Sequence, residues 1–193
     1  MATPLPLRTE VLHDRFVLRR WGTDDAAALH EAVVESRTEL LAWLPWATHE
    51  PLTVEERRLF ILGSQRQWDA GTTYGFGIFG QDRLIGACGL HPRVGRGGLE
   101  IGYWIRTSCT GTGYATDAAR VLTELGFEVG SINRIEIHHD AANPASGRVA
   151  EKLGFTKIGE LSSTVQAPGE TGTEWVWRTT RDQWFASNRP RTA

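Results

Sequence analysis

The sequence predicts an α/β protein built on one mixed sheet of about seven strands, mostly antiparallel with a single parallel pair. Three observations carry that prediction. Residues 73–79 and 83–90 both read as strands, and only Gly80-Gln81-Asp82 separates them, which is the length and chemistry of a hairpin loop. Residues 99–106 and 133–140 also read as strands, and between them Ala115, Ala118, Ala119, Leu122 and Leu125 recur at helical spacing over residues 114–129. Two strands joined by one helix are expected to lie parallel with a right-handed crossover.

The remaining elements follow in order. Residues 15–21 alternate Phe16, Leu18 and Arg20 against Val17 and Arg19, the period of a strand. Thr23 is the expected N-cap of a first helix, with Asp24 and Asp25 in its first turn and Ala28, Leu29, Ala32 and Val33 on its apolar face. A second helix is expected over residues 37–44, ending before Pro45. Thr53 and Glu56 form a capping box that opens a third helix, which runs to about Asp69 and closes on Gly71. Farther along, Asn143 as N-cap and Pro144 at the first helical position start another helix that Gly154 stops. Residues 155–163 and 174–181 complete the sheet as a hairpin around residues 166–173. No internal repeat and no linker-like stretch divides the chain, so residues 1–193 are expected to form a single domain.

Composition excludes several functions. A chain of 193 residues is long enough for a proper core, and its net charge of -2 gives no reason to expect nucleic acid. No block of Lys and Arg creates a local one. The segment around Pro4 and Pro6 has no apolar run of the kind a secretory signal or anchor needs, and no stretch approaches the ~18 apolar residues of a membrane helix. Cys88 and Cys109 are too few for a disulfide framework and lack metal-ligand spacing, so no metal is expected. These features predict a cytoplasmic protein with no membrane partner.

The most informative stretch is residues 100–116. Its first half alternates like a strand, and its second half packs Gly111 and Gly113 around Thr112 just before helical periodicity begins. A strand, a loop of small residues and a helix N-terminus leave backbone N–H groups unpaired at the positive end of a dipole, where a phosphate binds. The spacing is not that of a Walker loop, because Tyr114-Ala115 follows Gly113 where Lys-Ser/Thr is required. It is not that of a dinucleotide fingerprint either, since Thr116 stands in place of a third glycine.

Taken with that loop, the runs Leu99-Glu-Ile-Gly-Tyr-Trp-Ile, Asn133-Arg-Ile-Glu-Ile and Asn143-Pro-Ala-Ser-Gly-Arg-Val-Ala-Glu-Lys-Leu-Gly-Phe155 resemble the GNAT acyl-CoA N-acyltransferases. Within them the chain is similar to the ribosomal-protein N-terminal acetyltransferase branch of RimJ/RimL type, of which Glu39-Leu-Leu-Ala-Trp-Leu-Pro-Trp46 is also typical. The resemblance covers nearly the whole chain and implies the GNAT fold, with the parallel strands splayed at the cofactor. It also implies acetyl-CoA as acyl donor, no metal, and a homodimer as one expectation. The family's phosphate motif, Gln/Arg-x-x-Gly-x-Gly/Ala, falls on Thr110, Gly111, Thr112, Gly113, Tyr114 and Ala115, followed by Thr116; Thr110 departs from the usual Gln or Arg. Backbone N–H groups need no particular side chain to hold a pyrophosphate. By the same resemblance, Tyr103, Trp104 and Ile105 offer a strand edge to the pantetheine amides. The resemblance also implies that Asn143, besides capping its helix, bonds the pantetheine arm and that Arg148 approaches the 3′-phosphate, with a solvated place on the helix face as the alternative for Arg148.

The chemistry implied is attack of a neutral amine on an acetyl thioester without a covalent enzyme intermediate. It calls for a base, an oxyanion donor and an acid for the departing thiolate. A backbone N–H near residues 103–105 is the expected oxyanion donor. Glu100 is the favoured base, with Glu136 and His138 as the competing groups. Many relatives use a tyrosine as the acid; Ala150 occupies that place here, and Ser146 is the replacement the RimL branch implies. Cys109 has no positioned His partner, which argues against a covalent route. The chain has eight tryptophans. Trp43, Trp46 and Trp68, with Tyr74, are expected to wall the acceptor groove. An α-amine of pKa about 8 is roughly one-tenth neutral at pH 7, against a few parts in ten thousand for lysine, so the expected acceptor is a peptide N-terminus or an amino-acid-like amine. A larger acyl donor such as succinyl-CoA, and a non-catalytic coenzyme A-binding role, remain as alternatives.

Overall fold

Among the described residues, 4–187 in this computed structural model, one eight-stranded sheet organises the chain. Its strands are β1 (Glu10–His13), β2 (Phe16–Arg20), β3 (Tyr74–Phe79), β4 (Leu84–His91), β5 (Gly98–Ile105), β6 (Arg134–Asp140), β7 (Thr156–Ser162) and β8 (Thr173–Thr180), and their order across the sheet is β1-β2-β3-β4-β5-β6-β8-β7. The helices are α1 (Ala26–Trp43), α2 (Val54–Asp69), α3 (Tyr114–Glu128), α4 (Pro144–Lys152) and α5 (Arg181–Ser187). The outermost parts of the expected 1–193 domain, residues 1–3 and 188–193, lie outside the described residues.

Local signals place several elements where the sequence expects them. Thr53 Oγ1 accepts from Glu56 N while the Glu56 carboxylate accepts from Thr53 N, so the capping box that opens α2 is complete. Asn143 Oδ1 accepts from Ser146 N and caps α4, with Pro144 at its start. Gly71 and Gly154 take the left-handed conformation that ends their helices.

Three expectations are corrected. The sheet has eight strands rather than about seven, because β1 was not foreseen: it is four residues long and buries only Val11, too little for a readable period. The two early helices are one, α1, which runs unbroken because neither Gly nor Pro interrupts residues 26–43. Thr23 is not its cap. Thr23–Asp25 forms a 3-10 turn, and Asp25 reaches back to the Gly22 N–H while pairing with Arg19. The short α5 was also not foreseen.

The parallel pair sits at the middle of the sheet, as β5 and β6. Their register runs from Gly98 opposite Arg134 to Ile101 opposite Ile137 and stops there, whereas β5 stays paired with β4 as far as Ile105. Beyond Ile137, β6 continues against β8 alone. The two strands therefore splay apart, and residues 102–105 have an unpaired edge. Two apolar clusters flank the sheet. Leu29, Ala32, Val33 and Leu40 of α1 join Ile61 of α2, Trp21 and Leu84 in one. Ala118, Leu122 and Leu125 of α3 and Val149 and Ala150 of α4 join Leu99, Ile101, Ile135 and Ile137 in the other.

Candidate active site

One side of the splay is a backbone site. Gly111 (φ 75°) and Gly113 (φ 93°) both lie in the left-handed region, and Gly113 is the N-cap of α3. That geometry is strained for any residue with a Cβ. Thr110 Oγ1 donates to the Thr107 carbonyl at 2.9 Å, and Thr112 Oγ1 to the Cys109 carbonyl at 2.7 Å. Both side chains thus turn back onto the 3-10 turn Thr107–Cys109. Among the described residues, the N–H groups of residues 111–116 find no acceptor in the protein. A row of unspent donors at the head of a fifteen-residue helix fits a pyrophosphate, and the free edge at residues 102–105 fits an amide-bearing arm. Asn143 stands at the same opening; its Oδ1 serves as the cap, and among the described residues its amide NH2 has no acceptor. Arg148 is exposed on α4 with no ionic partner among the described residues.

The splay opens into a cavity of about 380 Å³ lined by residues of α1, the β4–β5 connection, β5, β6, α4 and the β7–β8 loop. Glu100 is buried in its wall, and both carboxylate oxygens accept from Arg93, through Nε at 2.7 Å and through Nη2. Glu136 lies directly across the parallel ladder from Glu100 but does not line the cavity. Its carboxylate accepts from Arg178 Nε at 2.9 Å and lies 2.8 Å from His138 Nε2. Burial pushes the Glu136 carboxyl up, but the bonds from His138 and Arg178 outweigh it and hold the group below the usual carboxylate range. His138 lines the cavity, with its Nδ1 3.4 Å from Glu174.

His139 lines the cavity too. Its Nδ1 lies 2.7 Å from the Asp140 carbonyl, and its Nε2 accepts from Trp177 Nε1 at 2.9 Å. Burial lowers its pKa, and with both ring nitrogens engaged this imidazole is committed to the fold.

A second hydroxyl meets Ser146. The Tyr103 phenol donates to the Ser146 carbonyl at 3.2 Å and shares a hydrogen bond with Ser146 Oγ at 2.8 Å. Burial pushes this phenol up to about 12, with the Ser146 bond offsetting part of the rise. Tyr103 was expected to contribute only a strand edge, and its side-chain role could not be read from the sequence, because Ser146 lies 43 residues away.

The aromatic groove is corrected in part. Trp43 lines the cavity, beside Leu44 and Pro45. Trp46 instead packs against Trp104 with ring centroids 6.3 Å apart. Trp68 and Tyr74 belong to the core: Tyr74 is fully buried with its hydroxyl accepting from Leu5 N, and Trp68 packs edge-on against Tyr74 and Phe76. A high tryptophan count cannot separate core from groove. Cys109 is buried, and among the described residues no imidazole partners it. Arg93, Glu174 and the loop residues Ser163, Thr164, Gln166 and Glu170 were not anticipated as cavity lining.

Comparison with known proteins adds a family. Residues 15–156 match the model of the Acetyltransferase (GNAT) domain. The chain is 36% identical over 122 residues to the probable N-acetyltransferase YjcK of Bacillus subtilis (strain 168), covering 61% of this chain and 67% of that one. It is 29% identical over 135 residues to the ribosomal-protein-serine acetyltransferase of Escherichia coli (strain K12), covering 69% and 74%. Among solved structures, it matches a probable acetyltransferase with a TM-score of 0.83 at 25% identity, over 91% of this chain and 98% of the other. It also matches RimL, the ribosomal L7/L12 alpha-N-protein acetyltransferase in complex with coenzyme A, with a TM-score of 0.80 over 90% and 98%; at 23% identity this likeness speaks to fold alone.

Proposed function

The chain belongs to the Acetyltransferase (GNAT) domain family and is an acyl-CoA-dependent N-acetyltransferase, and from that premise we propose that it acetylates an α-amine, on a peptide N-terminus or an amino-acid-like molecule, by direct attack on the thioester. The observation that carries this reading is the open edge at residues 102–105, which lies between a loop of unspent N–H donors and a cavity holding Glu100 and His138.

In this reading, residues 111–116 hold the pyrophosphate of acetyl-CoA through their backbone. The β5 edge and Asn143 align the pantetheine arm, and Arg148 stands toward the 3′-phosphate. Trp43, Leu44 and Pro45 wall the acceptor. Glu100 takes the proton that the amine nitrogen sheds as it bonds to the carbonyl carbon and the C–S bond breaks. Arg93 covers both carboxylate oxygens, so the proton arrives through a bridging water. A phenol near 12 does not surrender its proton outright to a thiolate, whose conjugate acid lies near 8.5. Ser146 Oγ, accepting from the Tyr103 phenol, therefore has its own proton free to stabilise the leaving sulfur by a hydrogen bond, and the sulfur is protonated from solvent.

His138 is the second reading for the base. Its ring lines the cavity between two carboxylates, with Nε2 2.8 Å from Glu136 and Nδ1 3.4 Å from Glu174. Free-thiol release, measured across a panel of amino acids, their amides, short peptides and ε-amines with acetyl-CoA or succinyl-CoA as donor, tests the assignment. Peptides and α-amines are expected to react and ε-amines to lag. Thiol release no faster than hydrolysis with every amine, despite coenzyme A binding, would overturn it. Glu100→Gln is expected to lower kcat and to remove the rise of the rate from low pH that deprotonation of the base produces; an unchanged profile there and a lost rise in His138→Gln would move the base to His138.

A further inference from the structure

We propose that Arg15 is a positioning residue for the donor phosphates: it cancels the charge of Asp117 at the head of α3 and clamps the Thr112–Gly113 turn. The proposal rests on the reading that residues 111–116 hold the pyrophosphate.

That site contains a conflict. Asp117 lies in the first turn of α3, and its carboxylate is partly exposed. A carboxylate there favours the helix through its dipole, yet it opposes any second anion bound to the same turn. Arg15 resolves the conflict from far away in sequence. It lies in the turn between β1 and β2, and its Nη1 donates to Asp117 Oδ2 at 2.6 Å. Its Nη2 donates to the Thr112 carbonyl at 3.0 Å. The guanidinium lies 4.2 Å above the Tyr114 ring, the first residue of α3, and Phe16 meets the same ring edge-on at 6.2 Å. Through these contacts the β1–β2 hairpin is fastened to the loop.

Both terminal nitrogens of Arg15 are committed to protein groups, so its effect on a phosphate runs through Asp117 and Thr112 and needs no contact with the ligand. The same contacts explain how the loop does without a long polar side chain at position 110, where Thr110 is spent on the Thr107 carbonyl. One guanidinium both neutralises the competing carboxylate and holds the carbonyl that precedes Gly113. With Arg15 gone, Asp117 would face the phosphates uncompensated.

The test is a double-mutant cycle on the full chain: Arg15→Gln, Asp117→Asn and the pair together, each assayed with acetyl-CoA and with acetyl-pantetheine, which lacks phosphate. Arg15→Gln is expected to raise the KM for acetyl-CoA about tenfold, leaving kcat and the amine KM unchanged. Asp117→Asn alone is expected to lower that KM about threefold, because Arg15 then stands unpaired. The double variant should return to within about twofold of wild type, and acetyl-pantetheine should not distinguish the four proteins. An unchanged KM in Arg15→Gln, or a defect that Asp117→Asn leaves in place, would overturn the proposal. The Asp117→Asn arm decides the matter even if Arg15→Gln folds poorly, since a KM that rises or stays constant there has the wrong sign. Wild-type enzyme that used acetyl-pantetheine as well as acetyl-CoA would instead remove the phosphate reading, and the proposal with it.

Discussion

In the proposed reading, the donor side of the cleft draws on two neighbouring stretches, residues 102–105 and 110–116, and presents backbone. The acceptor side draws on α1, the β4–β5 connection, β6, the β7–β8 loop and β8, and presents side chains. The difference matters because backbone geometry tolerates replacement of most side chains, whereas a wall assembled from distant segments depends on every contact that holds those segments together. Thr110 illustrates the first case: the motif departs from its usual Gln or Arg, yet the loop N–H groups remain unspent. The β7–β8 loop illustrates the second. It docks on α1 through Gly169 N, which donates to the Ala42 carbonyl at 2.8 Å, and on β6 through Asp140, which accepts from Thr171 N and Gly172 N.

The largest effect should come from the buried ion pair beside the segment that carries Leu44 and Pro45 of the cavity wall. Glu50 and Arg57 are almost fully buried and meet at 2.5 Å, tying the segment after Trp46 to α2. Glu50→Ala would strand the Arg57 charge and is expected to cost about 3–5 kcal/mol in urea unfolding, while Glu50→Leu with Arg57→Met should recover most of it. If the single variant were as stable as wild type, the segment after Trp46 would not depend on this pair.

Two glycines then separate the halves kinetically. Gly113→Val imposes a left-handed conformation on a β-branched residue and is expected to raise the KM for acetyl-CoA by about thirtyfold, with the acceptor KM unmoved. Gly169→Ala would put a Cβ 2.5 Å from the Ala42 carbonyl oxygen and 3.1 Å from the Trp43 ring. It is expected to raise the acceptor KM about fivefold and to spare the donor. Either substitution shifting both constants equally would break the comparison.

The smallest effect is a stability slope with pH. Burial lowers the His91 imidazole from 6.5 to about 4, with nearby Arg93 adding to the shift and Glu100 opposing it. Hydrogen bonds from Ser108, with Arg106 adding to them, hold Glu35 at about 2 against an ordinary 4.5. Both pKa values are depressed by folding, so the unfolded chain binds more protons and stability falls on acidification. The His91 contribution is complete above pH 6.5 and lost as pH falls toward 4; that of Glu35 is lost from 4.5 toward 2. Thermal melts should decline across that range, and His91→Gln should flatten the upper part of the slope.

Legibility in the sequence follows the same division. The α2 and α4 caps were readable because a cap and its partner lie three residues apart. The unit of strand, left-handed glycines and helix was readable for a similar reason, since its parts are contiguous. The break expected between the early helices is absent because neither Gly nor Pro interrupts residues 26–43, and Ser36, a weak helix former within them, is engaged by Thr107 N, which donates to its Oγ at 3.0 Å. Trp68 and Tyr74 were misplaced because an aromatic that fills a core and one that walls a groove look alike in composition. Arg93, Glu174 and Arg15 gave no local signal, since each acts on a residue brought to it by the fold.

By itself the sequence determined the mixed sheet, the strand–loop–helix unit around the glycines and the family it resembles, because those properties arise from hydrophobic period and backbone chemistry over short spans. Only the tertiary structure decided where β5 parts from β6, that Arg93 covers Glu100, that Tyr103 meets Ser146 and that Arg15 meets Asp117. Strand register and sheet order bring these partners together, and neither is encoded in any single stretch of chain.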